Sequence, residues 1–355
     1  MTEHSSAEMD VTIGMDLGDR QSELCVVDRA GVVVHRGRGA TTAAGLTAAC
    51  APYARARIVL EVGTHSPWVS RLLQQQGHAV IVANPGQVRR MAGRGNKSDR
   101  IDAELLARLG RADPQLLRPI HHRGVTVQRD RALLRVRDQL VQARTGLVVQ
   151  ARGLAKALGT RLPSCDPDQF ATRMARLDPA AHFPGLPELC AGVAGLTAQI
   201  KLLERTITRV LRTRYPASDA LQQVAGVGPL VTLAFLVTLE DPARFRRSRD
   251  VGAYVGLQPR RYQSGQSDPA LSISKAGDPY LRRMLVQAAQ YILGPFGPDT
   301  TLRRWGLRLL ARGGRAARKR AIVAVARRLA VLLHRLWVSG APYEPLRDRA
   351  PAATA

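Results

Sequence analysis

Cysteine is scarce: Cys25, Cys50, Cys165 and Cys190 lie far apart, form no CxxC pair and have no histidine cluster beside them. That excludes a zinc site or a disulfide framework and leaves four small apolar residues suited to a reducing compartment. Long apolar runs are missing too, since the longest clean one, Leu230 to Leu239, is too short to span a bilayer. The opening MTEHSSAEMD is polar and acidic, unlike a secretory signal. The expectation is a cytoplasmic protein with no membrane association. Acids are also few. Against 53 Lys+Arg stand only 28 Asp+Glu, a net charge of +25 that calls for a polyanionic partner. Five of the cations are lysine; a GC-rich genome accounts for arginine replacing lysine but not for the net charge.

What is present is ordinary for a globular chain: 45% hydrophobic residues over 355 positions, enough for two domains with their own cores. The first, residues 11–115, begins with β-like runs, Val11 to Gly18 and Glu23 to Asp28. The chain turns at Arg29-Ala-Gly31 and returns as Val32 to Arg36. A helix over Ala43 to Tyr53, a strand Ile58 to Val62, a helix capped by Ser66-Pro67 and a strand His78 to Ala83 follow. Strands alternating with helices after a hairpin predict a mixed-sheet α/β domain. Asp16 and Glu61 fall within its apolar strand runs, where a lone carboxylate is costly to bury. Asp99 and Asp102 stand one helical turn apart at the start of an apolar-periodic segment. Helix N-termini favour acids through the dipole, and Lys97 and Arg100 could neutralise this pair alone. Four such acids together read as a metal-binding tetrad of hard oxygen ligands, suited to Mg²⁺ or Mn²⁺.

Two apolar seams in steps of three and four mark the middle, residues 124–215. One runs Leu133, Val136, Leu140, Ala143, Leu147, Gln150, Leu154, Ala157, the other Leu189, Val193, Leu196, Ile200, Leu203, Ile207, Val210. They predict a coiled-coil hairpin, serving either an intramolecular bundle or subunit pairing into a dimer or tetramer. Residues 218–345 form a mainly α C-terminal domain. Leu221 to Pro229 followed by an apolar helix is helix-hairpin-helix-like, with a Gly-x-Gly turn that could offer N–H groups to phosphate. The segment Thr300 to Trp337 holds eleven Arg and Lys and no acid. Candidate nucleic-acid contacts are Arg260, Arg261, Lys275, Arg282, Arg283, Arg315, Arg318, Lys319 and Arg320.

The order Asp, Glu, Asp-x-x-Asp, in GMDLGDRQSELCVVD, LEVGTHSPWVSRLL and NKSDRIDAELLA, resembles the RuvC/RNase H-like nucleases. More narrowly it resembles the DEDD transposases of the IS-one-ten family and the related Piv DNA invertases. Gly256-Leu-Gln-Pro259, Ser264-Gly265, Ile273-Ser-Lys-Ala-Gly277 and the basic helix after it match the second half of the same family. The likeness spans all but the first ten and last few residues. It implies a RuvC-like domain with Asp16, Glu61, Asp99 and Asp102 as tetrad, a dimerising coiled coil, and a C-terminal domain whose Ser264 is a nucleophile toward DNA. It also implies an element-encoded guide RNA. No histidine lies near Ser264 in sequence, so its activation would fall to the metal-bound carboxylates. This chain departs from the family at Leu271-Ser272, where a glycine is common, and Ser267, Ser272 and Ser274 share the loop. The alternatives are a junction-resolving nuclease using metal-activated water, which would not need Ser264, and a basic nucleic-acid-binding scaffold with dispensable acids.

Overall fold

The computed structural model describes residues 10–91, 98–177, 182–264, 271–314 and 316–346. Arg315, Gly265, Ser267 and Lys97 therefore lie outside the described residues. The chain divides after Arg123 into two compact units.

In the first unit, strands β1 (Val11–Leu17), β2 (Gln21–Asp28) and β3 (Val33–Ala40) form an antiparallel meander. Gly31, at φ +87°, makes the tight turn between β2 and β3. After α1 (Ala43–Cys50), β4 (Arg57–Glu61) pairs parallel to β1. After α2 (Ser66–Gln75), β5 (Ala79–Ala83) pairs parallel to β4, giving the order β3-β2-β1-β4-β5. The expected mixed sheet is present. Period-two alternation then sorts its side chains into two layers. Ile13, Met15, Ile58 and Leu60 pack with Leu46 of α1 and Val69 and Leu73 of α2 on one face. Val59 and Ala83 on the other face meet α3 (Pro85–Met91) and α4 (Asp99–Ala112) through Val88 and Leu106, while Cys25 and Val27 meet Ala103 and Ala107. One local expectation fails. Ser66 is the first residue of α2, not its cap; His65 occupies the cap position and its side chain makes no capping bond, and the buried Ser66 hydroxyl donates to the Gly63 carbonyl instead.

The second unit opens with two long helices, α5 (Val125–Ala157) and, after the short α6 (Phe170–Met174), α7 (Leu186–Arg214). Asp130 with Arg214, Arg137 with Glu204 and Arg144 with Thr197 show that α5 and α7 run antiparallel. On α7 the predicted seam holds in part, with Val193, Ile200, Ile207 and Val210 buried and Leu189, Leu196 and Leu203 half-buried. On α5 it is off by one residue. The buried apolar positions are Leu134, Val148, Ala151 and Ala155, while Val136 and Leu154 of the predicted seam are 51% and 39% exposed. The reason is chemical: Arg137 and Arg144 occupy the true stripe, covering the interface with their stems while their heads reach Glu204 and Thr197. A pattern that counts only apolar residues passes over them. By length and hydropathy alone α7 is also apolar enough to cross a membrane, unlike Leu230 to Leu239; its packing against α5 accounts for that seam.

Beyond this pair, α8 (Ser218–Gln222) leads to α9 (Pro229–Leu239), whose residues Val231 to Leu239 are all buried. A helix apolar all round must be the centre of a helical core. Around it pack α10 (Arg249–Tyr254), α11 (Pro279–Leu293), α12 (Thr301–Ala311) and α13 (Ala317–Ser339), through Val251, Leu285, Leu302 and Leu329 among others. The C-terminal part is helical, as expected.

Candidate active site

The acids of the first unit are brought to one edge by the way α4 crosses the sheet. A β-carbon on Gly14 would sit 1.9 Å from the Ala103 carbonyl oxygen, and one on Gly110 would sit 2.2 Å from a Val59 methyl. Glycine at both points lets helix and sheet approach backbone to backbone. At the far end of α4, Arg111 donates to the Arg29 carbonyl at 3.0 Å beside the β2–β3 turn. The helix thus runs antiparallel to β1, and its first turn lies at the strands' C-terminal edge. Ser98 caps that turn, its hydroxyl accepting from the Ile101 N–H at 3.4 Å.

Asp16 and Glu61 follow the paired residues Met15 and Leu60 on adjacent parallel strands. Each lies two residues beyond a position covered by α4, Gly14 and Val59, so both are on the α4 face. Asp16, Glu61 and Asp102 are half-buried and Asp99 is exposed. The strand acids therefore sit at strand ends, where water can still reach them, and not deep in the sheet. Asp16, Glu61, Asp99 and Asp102 share one edge and one face. Among the described residues, however, no three Asp, Glu, His or Cys side chains converge closely enough to hold an ion. The donor chemistry, oxygen throughout, fits a hard divalent cation.

Two neighbours escaped the sequence reading. Glu23 stands directly opposite Asp16 across β1 and β2 and is nearly buried. It pairs with Arg38 of β3 and lies 3.9 Å from Arg100 of α4. Arg100 is thus drawn toward Glu23, so its role as neutraliser of the Asp99/Asp102 pair has a competitor. The signal was available, since Glu23 is an acid on a strand face at even spacing from buried Cys25 and Val27. At the same edge His65 accepts from the Trp68 indole N–H at Nδ1, 3.1 Å away, which leaves Nε2 to face Asp19 at 3.4 Å.

The second unit holds the serine. Gln258 to Arg260 and Ser272 to Ser274 form a short antiparallel ladder: the Ser274 N–H donates to the Gln258 carbonyl (2.8 Å), and the Arg260 N–H to that of Ser272 (3.0 Å). Gly256 and Gly277, at φ +72° and +71°, allow the two segments to cross, because a β-carbon on either would lie 2.2 Å or less from a backbone oxygen. Lys275 takes φ +55° between them, an uncommon conformation for a side-chain-bearing residue. Ser264 lies beyond Arg260 and is exposed. Ser272 accepts a hydrogen bond from the Arg260 guanidinium at 3.1 Å, and the Ser274 hydroxyl accepts from the Ala276 N–H at 3.4 Å.

The basic candidates divide. Arg260, Arg261, Lys275, Arg318, Lys319 and Arg320 are exposed. Arg282 instead donates to the Val255 and Ala276 carbonyls, while Arg283 pairs with Asp138 at 2.5 Å and lies over the Tyr280 ring. These two are engaged in holding α11 to its surroundings. Asp278, the N-cap of α11, is likewise structural, accepting from Tyr280 and Leu281 and pairing with Arg131 and Arg135 of α5. Burial pushes its carboxyl up, but the Leu281 N–H and Arg131 outweigh that and hold it below the usual carboxylate range.

An α/β unit with acids gathered at one sheet edge, joined to a strongly basic helical unit, is the make-up of an enzyme that works on nucleic acid strands. Residues 13–158 match a family model described as a transposase, and residues 218–300 match the transposase IS116/IS110/IS902 family. A probable family 20 transposase of Pseudomonas aeruginosa is 31% identical over 72% of this chain and 77% of its own length. The transposase for insertion sequence element IS1111A of Coxiella burnetii is 28% identical over 90% of this chain and 88% of its own. The pilin gene-inverting protein of Moraxella lacunata is 26% identical over 75% of each. The chain belongs to the IS116/IS110/IS902 family of insertion-sequence transposases, and it is an enzyme that acts on DNA.

Proposed function

We propose that this transposase cuts and rejoins DNA strands with two sets of residues: the acids Asp16, Glu61, Asp99 and Asp102 on a RuvC/RNase H-like domain, and the hydroxyl of Ser264. The observation that carries the reading is the gathering of all four acids on one face and at one edge of the first sheet, with α4 locked there by Gly14 and Gly110. In this reading residues 11–115 are the catalytic domain, 124–215 a coiled-coil hairpin that pairs subunits, and 218–345 the domain of the serine with its helix-hairpin-helix-like turn. The setting is the cytoplasm, and a structured guide RNA from the element directs the choice of DNA.

The acids would hold Mg²⁺ or Mn²⁺, which when bound lowers the cost of charge on attacking and leaving oxygens. The rest is the chain's own chemistry. The Ser264 oxygen attacks phosphorus as its proton passes to solvent, and the sugar oxygen leaves with a proton from solvent. The phosphoserine ester keeps the bond energy until the hydroxyl of a second strand gives its proton to solvent and displaces serine, whose oxygen takes a proton from solvent. Arg260 and Arg261, exposed just before Ser264, offset the charge that builds on the phosphoryl oxygens.

The test is to trap the ester. Wild-type protein with end-labelled element DNA should give a denaturant-resistant adduct mapping to Ser264, and Ser264→Ala should bind DNA normally yet form neither adduct nor recombinant. An adduct on Ser267, Ser272 or Ser274 moves the nucleophile. Recombination by the alanine variant at wild-type rate discards the covalent route in favour of water.

A further inference from the structure

The second unit contains a groove of about 980 Å³ between the Gln258–Ser274 ladder and helices α12 and α13. Its composition is divided. Leu257, Ile273, Val323 and Val331 give it an apolar floor, and Arg260, Arg261, Lys319, Arg320, Arg327 and Arg328 rim it. Among the described residues no acid lines it, and none of these six cations makes an ion pair with a described residue. Three are held in place by other means, Arg260 by the Ser272 hydroxyl, Arg328 over the Trp305 ring at 4.8 Å and Arg327 with its stem against Gly252. On α13, Lys319-Arg320 and Arg327-Arg328 lie two turns apart, roughly 12 Å along the helix. Tyr262 follows the rim residue Arg261 and is 72% exposed, an aromatic ring presented to solvent two residues from Ser264.

Cations along the sides call for a polyanion; an apolar floor and an exposed ring call for flat apolar faces between the charges. A duplex satisfies the first demand only, because its bases are paired and stacked and only phosphates could reach the groove. An unpaired strand satisfies both, with phosphates on the rim and bases on the floor and on Tyr262. We propose that this groove holds a single-stranded stretch of the DNA under recombination, next to Ser264. The inference rests on the strand-exchange reading above, in which a cut strand must leave one partner before joining another. The groove keeps that strand unpaired near Ser264, and it distinguishes strands by pairing state and not by sequence.

Anisotropy titrations of the full-length protein at fixed salt test this with oligothymidylate of about twelve nucleotides, a length matched to single-strand site sizes. The companion probes are an abasic strand of equal length, the matching duplex, oligouridylate, and an acidic amphipathic peptide of equal charge. Oligothymidylate should bind about tenfold or more tighter than the abasic strand. Tyr262→Ala should remove about fivefold or more of that advantage while leaving the abasic strand unchanged. Tyr262 is exposed, so its loss leaves the fold intact; Val323→Asn, checked by thermal melting, should act in the same direction. Equal binding of thymidylate and abasic strand by wild type overturns the groove as a base site, as does tighter binding of the duplex, of oligouridylate or of the peptide. Unchanged thymidylate preference in both variants overturns it too. Those results leave the enzyme's action on DNA standing; failure to bind any nucleic acid probe would remove both.

Discussion

In the proposed reading Asp16, Glu61, Asp99 and Asp102 act through charge placed where water is still available. None contributes to a core, so neutralising them should leave folding and DNA binding intact. Asp16→Asn, Glu61→Gln, Asp99→Asn and Asp102→Asn are each expected to abolish recombination with element-end DNA, while gel-shift affinity stays the same or rises as negative charge leaves a basic protein. Two or more variants recombining at near-normal rates with Mg²⁺ present would remove the acids from the mechanism. Asp278 is the opposite kind of residue, a buried carboxylate whose value is structural. Its folded pKa lies below the unfolded value, so the stability it adds is present above the unfolded pKa, about 3.9, and is lost as pH falls through the lower folded value. Asp278→Asn should lower stability by about 1–3 kcal/mol at neutral pH, from two N–H groups and two arginines losing a charged acceptor. It should also flatten the acid limb of the stability curve, measured by urea melts from neutrality downward. A variant with the wild-type acid limb would assign that limb to other groups.

At the level of elements, α4 decides the geometry of the acids, and it does so through two glycines. Gly14→Ala puts a methyl 1.9 Å from the Ala103 carbonyl and 2.4 Å from the Ala107 nitrogen, both backbone atoms that cannot rotate away. Helix and strand must separate, at a cost of roughly 1–3 kcal/mol, and Asp99 and Asp102 move with the helix. The expected result is a protein that still folds, melts earlier and recombines poorly. A Gly14→Ala protein with normal melting and activity would mean that α4 is not fixed at this crossing. The helix pair α5–α7 carries a different lesson. Its α7 stripe was legible as a heptad because apolar residues fill it apart from Thr197. The α5 stripe was not, because Arg137 and Arg144 lie in it and an adjacent apolar row, Val136 and Leu154 included, mimics a seam.

That exposed row bears on the whole molecule. A hairpin whose internal face is already satisfied still presents Val136 and Leu154 to solvent at 51% and 39%. Subunit pairing along this side of α5 would cover it. Val136→Glu with Leu154→Glu should then lower the mass seen by light scattering while the circular dichroism stays unchanged. An unchanged mass would place subunit contacts elsewhere or leave the chain monomeric. Charge is the other property of the whole chain. With a net +25, part of DNA affinity is salt-dependent and independent of sequence, so specificity must come from elsewhere.

The sequence by itself determined the α/β beginning, the helical remainder and the family, and it supplied the candidate acids. Those follow from local rules: strand and helix periods, glycine at turns, and motifs whose spacing is fixed along the chain. Only the tertiary structure decided that Glu23 stands beside Asp16 and draws Arg100, that Arg282 and Arg283 hold α11 instead of standing free, and which row of α5 faces α7. The physical reason is the same in each case. An ion pair or a backbone crossing joins residues tens of positions apart, and an arginine can be buried by its stem or solvated by its head. Which of these happens depends on the partner it meets, and partners are set by packing, not by neighbours in sequence.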